Sequence, residues 1–494
     1  MNHRVVNGLR IVWVIVTLWY ELGVFFKSVS SCNWPDAVLR SSPHVTNTPS
    51  HVLLIADPQI LDHRSYPERG PFLTYLSRLV VDLNLRKAWW VALRKQPDVV
   101  IFLGDMMDGG RIDMTDDEYE DYYQRFNHIF RLPSGLPTYF IPGNHDIGLR
   151  ASSLFSPHAR SRYQSHFGYL NSWILVANHT FVLLDAPTFV EEDEQRVKSG
   201  HAYQDWTPRH GGPIEFVTTV ARGENQNYPI VLMSHIPLAR TSFDCGPLRE
   251  KGTIRPGAAL GYQNTLGKEA TAFLLETLHP SVVFSGDDHD YCENYHTSGW
   301  RGATTRVREI SVKSFSMAMG IKKPGFQLLS LVSPIHGEDD QKTLADVPCF
   351  LPDQMSIYLS TYIPLLLVSL FIVLGSNALR VHTLPPKRSR RLSSPHPRRG
   401  DDASEDRMTS LPQPVSVRTP KSGSRPQIPS SFVLFGRRRH IMCFDLLRHC
   451  LTLCRTSRRL NSEGLWFGFL RDSRDIAVFP LTVFVAISFW ITIT

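Results

Sequence analysis

Up to about residue 335, short apolar runs recur along the chain and each stops at a polar cluster. They are His51–Ala56, Val99–Leu103, Thr138–Ile141, Trp173–Ala177, Phe181–Leu184, Ile230–Met233 and Val282–Phe284. Runs of this length, rich in Val, Ile and aromatics, predict buried strands. Between the first two, Leu76, Leu79, Val80, Leu83, Trp90 and Leu93 recur at roughly helical spacing. A second helix is predicted from Lys268 to Leu278, stopped by Pro280. Asn178-His179 sits between two strand-like runs and predicts a hairpin. The pattern as a whole predicts an α/β domain over residues 50 to about 335.

Three longer apolar stretches are of another kind: Ile11–Phe26, broken by Glu21; Ile357–Leu374, containing Pro364; and Ile476 to Thr494. A membrane-spanning helix takes ~20 apolar residues, so each is close to the lower limit. No small-x-small cleavage site follows the first, and Trp, Tyr and Phe crowd its C-terminal end. It therefore reads as an uncleaved anchor, with a cleaved signal peptide as the alternative.

Charge orients these segments. Between Arg380 and Asp475 there are 20 Lys/Arg against 8 Asp/Glu, whereas the whole chain is only +7, so the remainder is net acidic. The basicity belongs to one segment and gives no reason to expect nucleic-acid binding. Basic loops stay on the cytoplasmic side, and Arg4 and Arg10 place the N-terminus there too. The expected organisation is a cytosolic N-terminus (1–10), an anchor (11–26), a lumenal region (27–355) and a second span (357–374). A basic, largely disordered cytosolic loop (375–475) and a third span (476–494) follow. Residues 381–430, rich in Ser, Pro and Arg, cannot bury enough apolar surface to fold, and Val433–Leu470 reads as an amphipathic surface segment. Four of the seven cysteines, Cys32, Cys245, Cys292 and Cys349, fall in the lumenal part, where disulfides form. The sequon at Asn178 makes it a candidate glycosylation site there.

Five strands run directly into polar clusters: Asp57-Pro58-Gln59, Gly104-Asp105, Gly143-Asn144-His145-Asp146, Ser234-His235 and Gly286-Asp287-Asp288-His289. In an open α/β sheet, ligands bind beyond the carboxyl ends of the strands, so five such ends can converge. Asp, Asn, His and amide oxygens suit Mn, Fe, Zn or Mg. Taken singly, a strand-end Asp is commonly a turn former and a lone His is more often structural. The full series is far harder to read that way.

In this order the clusters resemble the calcineurin-like metallophosphoesterase superfamily, with its pattern DxH, GD, GNH(D/E), H and GHxH. The resemblance implies a sandwich of two mixed β-sheets flanked by helices, here carrying N- and C-terminal transmembrane helices. It implies two divalent ions, with Asp57 and His289 on the first, Asp105 bridging, and Asn144 and His235 on the second. His145 would protonate the leaving group and Asp146 would orient it. Such an ion pair polarises a phosphoryl group and activates water. Two positions depart from the pattern: Gln59 and Asp287 stand where histidines are expected. Either the site has decayed, or it is a harder one in which Asp287, and Gln59 directly or through water, join the metal set.

Asp57-Pro58-Gln59, the run Cys245–Glu250, the run Gly261–Asn264 and the run Phe284–Cys292 look like the fungal cell-division-control branch, related to the post-GPI-attachment phosphoesterases. That resemblance implies a multi-pass membrane enzyme of the endoplasmic reticulum or Golgi with a lumenal catalytic domain. It would use manganese and remove ethanolamine phosphate from mannose of the GPI glycan on GPI-anchored proteins. Tyr262, Gln263 and Asn264 would line the glycan pocket. Arg240, five residues after His235, is a candidate phosphate ligand or a surface ion pair. Cys245 and Cys292 flank the last two motif strands and are expected to pair; Cys32 and Cys349, beside the first two spans, are a second candidate pair. A phosphoesterase acting on a nucleotide, lipid or phosphoprotein, and a non-catalytic membrane adaptor, remain the alternatives.

Overall fold

The computed structural model describes residues 3–39, 48–150, 154–223, 228–240, 244–252, 254, 257–300, 303–334, 342–383, 431–434, 437–440 and 464–493. Most of the basic segment 375–475, and most of the amphipathic stretch expected over Val433–Leu470, lies outside them.

The strands expected from the apolar runs are present. In chain order they are β1 (Ser50–Ile55), β2 (Val99–Phe102), β3 (Thr138–Phe140), β4 (Ser172–Val176), β5 (His179–Leu184) and β6 (Ile230–Ser234). A short ribbon of β7 (Ala258–Ala259) and β8 (Tyr262–Gln263) precedes β9 (Val282–Ser285). Four strands then follow that the runs did not announce: β10 (Cys292–Trp300), β11 (Ala303–Ser311), β12 (Gly325–Leu331) and β13 (Leu344–Phe350). The last carries the domain past residue 335.

Two mixed sheets result. The first has the order β13-β12-β1-β2-β3, with β1, β2 and β3 parallel and β12 antiparallel to β1. The second has the order β10-β11-β9-β6-β5-β4, parallel from β11 to β5. Side chains alternate faces along a strand, so each run splits between two cores. Val52 and Leu54 of β1 meet Phe181, Val231 and Phe284 between the sheets. Leu53 and Ile55 point the other way, into a core with helix residues. At the hairpin, Ala177 and Asn178 both have positive φ, the backbone of a tight two-residue turn, and Asn178 is exposed at its tip.

The helices of the domain are α3 (Asp36–Leu39), α4 (Pro71–Ala92), α5 (Asp116–Ile129), α6 (Asn144–Ile147), α7 (Ala159–Phe167), α8 (Ala186–Lys198), α9 (Pro213–Arg222) and α10 (Lys268–Leu278). α4 and α5 cover the first sheet; α8, α9 and α10 cover the second. The spacing that marks α4 as helical does not mark its core face. Val81, Leu85, Ala88, Trp89 and Ala92 enter the core, whereas Leu76 and Leu79 are exposed.

Among the described residues, three helices are long and apolar enough to cross a membrane: His3–Ser30, Gln354–His382 and Leu465–Ile493. The first consists of α1 (His3–Leu18), a π-helical turn and α2 (Val24–Ser30). Disulfides join Cys32 to Cys349 and Cys245 to Cys292. Residues 371–474 form a compact unit of their own, in which the Asn377 amide donates to Asp472 Oδ2 at 3.0 Å.

Candidate metal centre

Asp57 follows β1, Asp105 follows β2, Asn144 and His145 follow β3, His235 follows β6, and Asp287 and His289 follow β9. Parallel pairing of β1 with β2, of β2 with β3, and of β6 with β9 brings all five ends to one edge of the sandwich. The turns there are sharp. Asp57, Gln59, Asp105, Asp287 and His289 all have φ between 35° and 67°, a region non-glycine residues seldom occupy and one that collects at functional sites. Gly143 is required for a different reason, since a Cβ there would strike the Asp105 carboxyl and amide.

The ligand atoms fall into two triads, Asp57–Asp105–His289 and Asp105–His235–Asp287, each with its donors within 4.8 Å of one another. Asp105 belongs to both, the arrangement of a carboxylate bridging two ions. His235 Nδ1 donates to the Leu103 carbonyl at 2.8 Å, which leaves Nε2 facing inward. That atom faces Asn144 Oδ1 at 3.1 Å, Asp105 Oδ1 at 3.4 Å and Asp287 Oδ1 at 3.5 Å. Three oxygen acceptors around this atom, two of them carboxylates, call for positive charge among them. Asn144 is turned to this task because its Nδ2 donates to the Gly261 carbonyl at 2.8 Å. In the other triad, Asp57 Oδ2 is buried and has no hydrogen-bond partner, as a metal ligand held ready would be.

The electrostatics state the same demand. Burial pushes the Asp57 carboxyl well above the usual carboxylate range, although His235 pulls against it. Asp105 is equally buried, yet the charges of His235 and His145 hold it below that range. Burial draws the His235 ring down, but Asp105 and Asp287 outweigh it and raise it well above the usual value. Burial lowers His289 to about 4, so its imidazole is neutral at pH 7, the form that ligates. The donor set fits two divalent ions.

Three expected roles change. Gln59 Nε2 donates to Asp105 Oδ2 at 2.9 Å, so its amide nitrogen steadies the carboxylate shared by the two triads. Asp146 does not hold the His145 ring. Its Oδ2 accepts from the Asp105 and Gly143 amides at 2.8 and 2.9 Å, and its Oδ1 from the Met107 amide at 3.1 Å, tying the β2 and β3 loops together. Burial and the Asp105 charge raise it to about 7. The ring is instead held by Asp108, whose carbonyl accepts from His145 Nδ1 at 2.6 Å and whose Oδ1 lies 3.5 Å away. Arg240, the candidate phosphate ligand, is buried away from any substrate. Its guanidinium donates to Ser311 Oγ at 2.7 Å, lies 3.5 Å from Glu309, and contacts the Cys245–Cys292 pair.

Sequence reasoning missed Arg111 and Asp108. Arg111 donates to the Asn144 and Gly261 carbonyls at 3.2 and 3.0 Å and to the Tyr262 hydroxyl at 2.9 Å. It thereby fixes the metal-bearing β3 loop against the β7–β8 ribbon. Their one signal was proximity to Asp105. Tyr262 does stand at the site, half exposed, with its ring 5.4 Å from that of His145. Gln263 is held instead by Arg150, at 2.6 Å. Asp288 and Asp290, beside the ligands, anchor the loop to Arg249 and to the Glu250 and Lys251 amides.

The calcineurin-like phosphoesterase family model matches residues 51–291, the stretch that contains every one of these ligands. Cell division control protein 1 of Saccharomyces cerevisiae is 34% identical over 363 residues, 71% of this chain and 70% of that protein. The chain belongs to the calcineurin-like phosphoesterases. Metallophosphoesterase 1 homolog of Drosophila melanogaster is 26% identical over 337 residues, covering 66% of this chain and 84% of that one. Metallophosphoesterase 1 of Ailuropoda melanoleuca is 28% identical over 368 residues, covering 70% and 83%. The phosphoesterase is therefore metal-dependent and carries three apolar helices of spanning length.

The division of labour between the two departures can be measured. Asp287→Ala is expected to empty part of the metal site, because it deletes a triad member. Gln59→Ala should leave occupancy closer to normal and lower turnover by about 10–100-fold, the usual scale for losing a partner behind a ligand. Metal analysis of the purified variants checks this. Equal, negligible losses of metal would remove Asp287 from the ligand set.

Proposed function

We propose that this phosphoesterase is a phosphodiesterase that removes ethanolamine phosphate from a mannose of GPI anchors, acting in the lumen of the endoplasmic reticulum or Golgi with two manganese ions. The observation that carries the hydrolytic part is the pair of triads sharing Asp105, with His145 beside them. Bound ions would supply Lewis acidity toward a phosphoryl oxygen and a nucleophile available at neutral pH. The chain's own residues do the rest. Asp57, Asp105, His289, Asn144, His235 and Asp287 would hold the ions, and Gln59 and the His145 amide keep the bridging carboxylate still. His145, its Nδ1 committed to the Asp108 carbonyl, has Nε2 free to hold a proton for the departing mannose oxygen. Tyr262 and Arg111 form one wall beside that atom.

A lumenal site is supported by the cysteines. All four between the first two apolar helices are paired, whereas Cys443, Cys450 and Cys454 fall in the basic segment, as the two faces of a secretory membrane would require. The GPI substrate rests on the motif resemblance, and a membrane-held enzyme suits a membrane-held glycan. Asn178, exposed at the β4–β5 turn, would then be open to glycosylation.

The test is mass spectrometry of GPI glycans from cells lacking the protein. Ethanolamine phosphate should persist on one mannose, and wild type but not Asp105→Asn should remove it on re-expression. An unchanged glycan profile, together with hydrolysis of a generic diester by the purified protein, would mean another phosphate ester is the substrate.

A further inference from the structure

α4 is the longest helix of the catalytic domain, and it is apolar on two sides. One side enters the core. On the other, Phe72, Leu73, Tyr75, Leu76 and Leu79 are exposed, Phe72 by 74% and Tyr75 by 63%. At 100° per residue, Phe72, Leu76, Leu79, Leu83 and Trp90 fall on one stripe, with Arg86 and Lys87 on its flanks. Five large apolar side chains over two turns form a patch that soluble monomers rarely expose without a use.

What this stripe meets at its C-terminal end identifies what covers the remainder. Trp90 contacts Phe26 of the first apolar helix and Trp490 of the third, with ring centroids 5.0 and 4.9 Å apart. Arg86 donates to Thr492 Oγ1 at 2.6 Å. Lys87 Nζ lies 2.5 Å from Glu21, which lies nine residues before the end of the first apolar helix and also accepts from the Tyr362 hydroxyl at 2.8 Å. Nine residues of helix are about 14 Å long. α4 therefore does not stand above the membrane helices; its second half sits among their ends, at the depth of Glu21. Trp, Tyr and Arg at this level are the residues that favour the headgroup boundary. A cavity of about 270 Å³ beside these contacts is lined by Arg86, Trp90, His128 and Arg131 with Ile491 and Ile493.

We infer that α4 is an interfacial helix, its Phe72–Leu79 face seated in the headgroup and upper acyl region of the bilayer that holds the three apolar helices. The occupant is the lipid itself. The face continues, on the same stripe, the surface already engaged with membrane helices, and an amphipathic helix lying in the interface is stabilised by the apolar area it buries. This bears on the site, since only residues 60–70 separate Gln59 from the start of α4. The catalytic strand end is thereby tied to the lipid surface.

The test uses the full chain in liposomes, with Cys443, Cys450 and Cys454 changed to Ser. A nitroxide is placed at Phe72→Cys, Leu76→Cys or Leu79→Cys. The control is Glu276→Cys on α10, exposed over the opposite sheet. Oxygen concentrates in lipid and a nickel chelate stays in water. Collisions with oxygen should exceed those with nickel several-fold at the three α4 positions, and the ratio should reverse at residue 276. Nickel-dominated collisions on α4 would overturn the inference. So would dipolar broadening between α4 labels that disappears on mixing with unlabelled chain, because a second copy would then cover the face. The readout needs no substrate, so failure of the GPI reading would leave it standing.

Discussion

Asp105→Asn is expected to abolish hydrolysis and lower metal content below two ions per chain while leaving the fold intact. The carboxylate belongs to both triads, so neutralising it weakens both sites at once. The side chain keeps its shape, and its place between the Gln59 amide and the His145 backbone N–H remains filled. Turnover on a generic diester should fall by at least about 10³-fold, the upper scale for losing one preorganised stabiliser of transition-state charge. Metal analysis and circular dichroism on the same preparation separate the outcomes. Full metal content with activity lost would mean that Asp105 acts in chemistry and not as a bridge. Normal activity would remove it from the centre altogether.

The second large effect is expected far from the chemistry. Glu21 and Lys87 are both almost wholly buried and lie 2.5 Å apart. Breaking a buried pair by removing one partner leaves an uncompensated charge and costs about 3–5 kcal/mol, whereas replacing both by apolar or neutral groups is often close to neutral. Lys87→Met should therefore lower the unfolding midpoint sharply in a fixed detergent. The Glu21→Gln/Lys87→Met double variant should recover most of the loss. Additive losses in the double variant would mean that each residue is held by its other partners, Tyr362 for Glu21 and the Phe25 ring for Lys87.

The sequence made the candidate metal centre legible because its candidate ligands sit at strand ends, where a run of apolar residues stops and a few polar ones follow. Asp57, Asp105, Asn144, His235, Asp287 and His289 could all be named that way. Residues that act through side-chain direction could not. Asp146 follows His145 directly, yet its carboxylate turns back to three backbone amides, and Asp108, far along the chain from His145, holds the ring. Arg240 looked available on a loop, but two buried partners, Glu309 and Ser311, come from β11, a strand no apolar run announced. β10 and β11 were hidden because they are long and mixed in polarity. In β11, Glu309 is a fully buried acid, matched by Arg240 and His296. α4 was legible as a helix and misleading as to its face. Spacing alone cannot tell a stripe that enters a protein core from one that meets lipid.

The Cys32–Cys349 disulfide has a mechanical consequence. Cys32 lies two residues past the first apolar helix, and Cys349 five residues before the second begins. The whole catalytic domain is therefore a closed covalent ring, fastened to the bilayer at its one clasp. A protease that cuts a single loop between these two cysteines leaves the two fragments covalently joined to each other through the disulfide. Each fragment also keeps its own apolar helix, so reducing the disulfide after one cut parts the fragments without freeing either from its helix. One nick therefore leaves the domain a single covalent body and not two separate pieces.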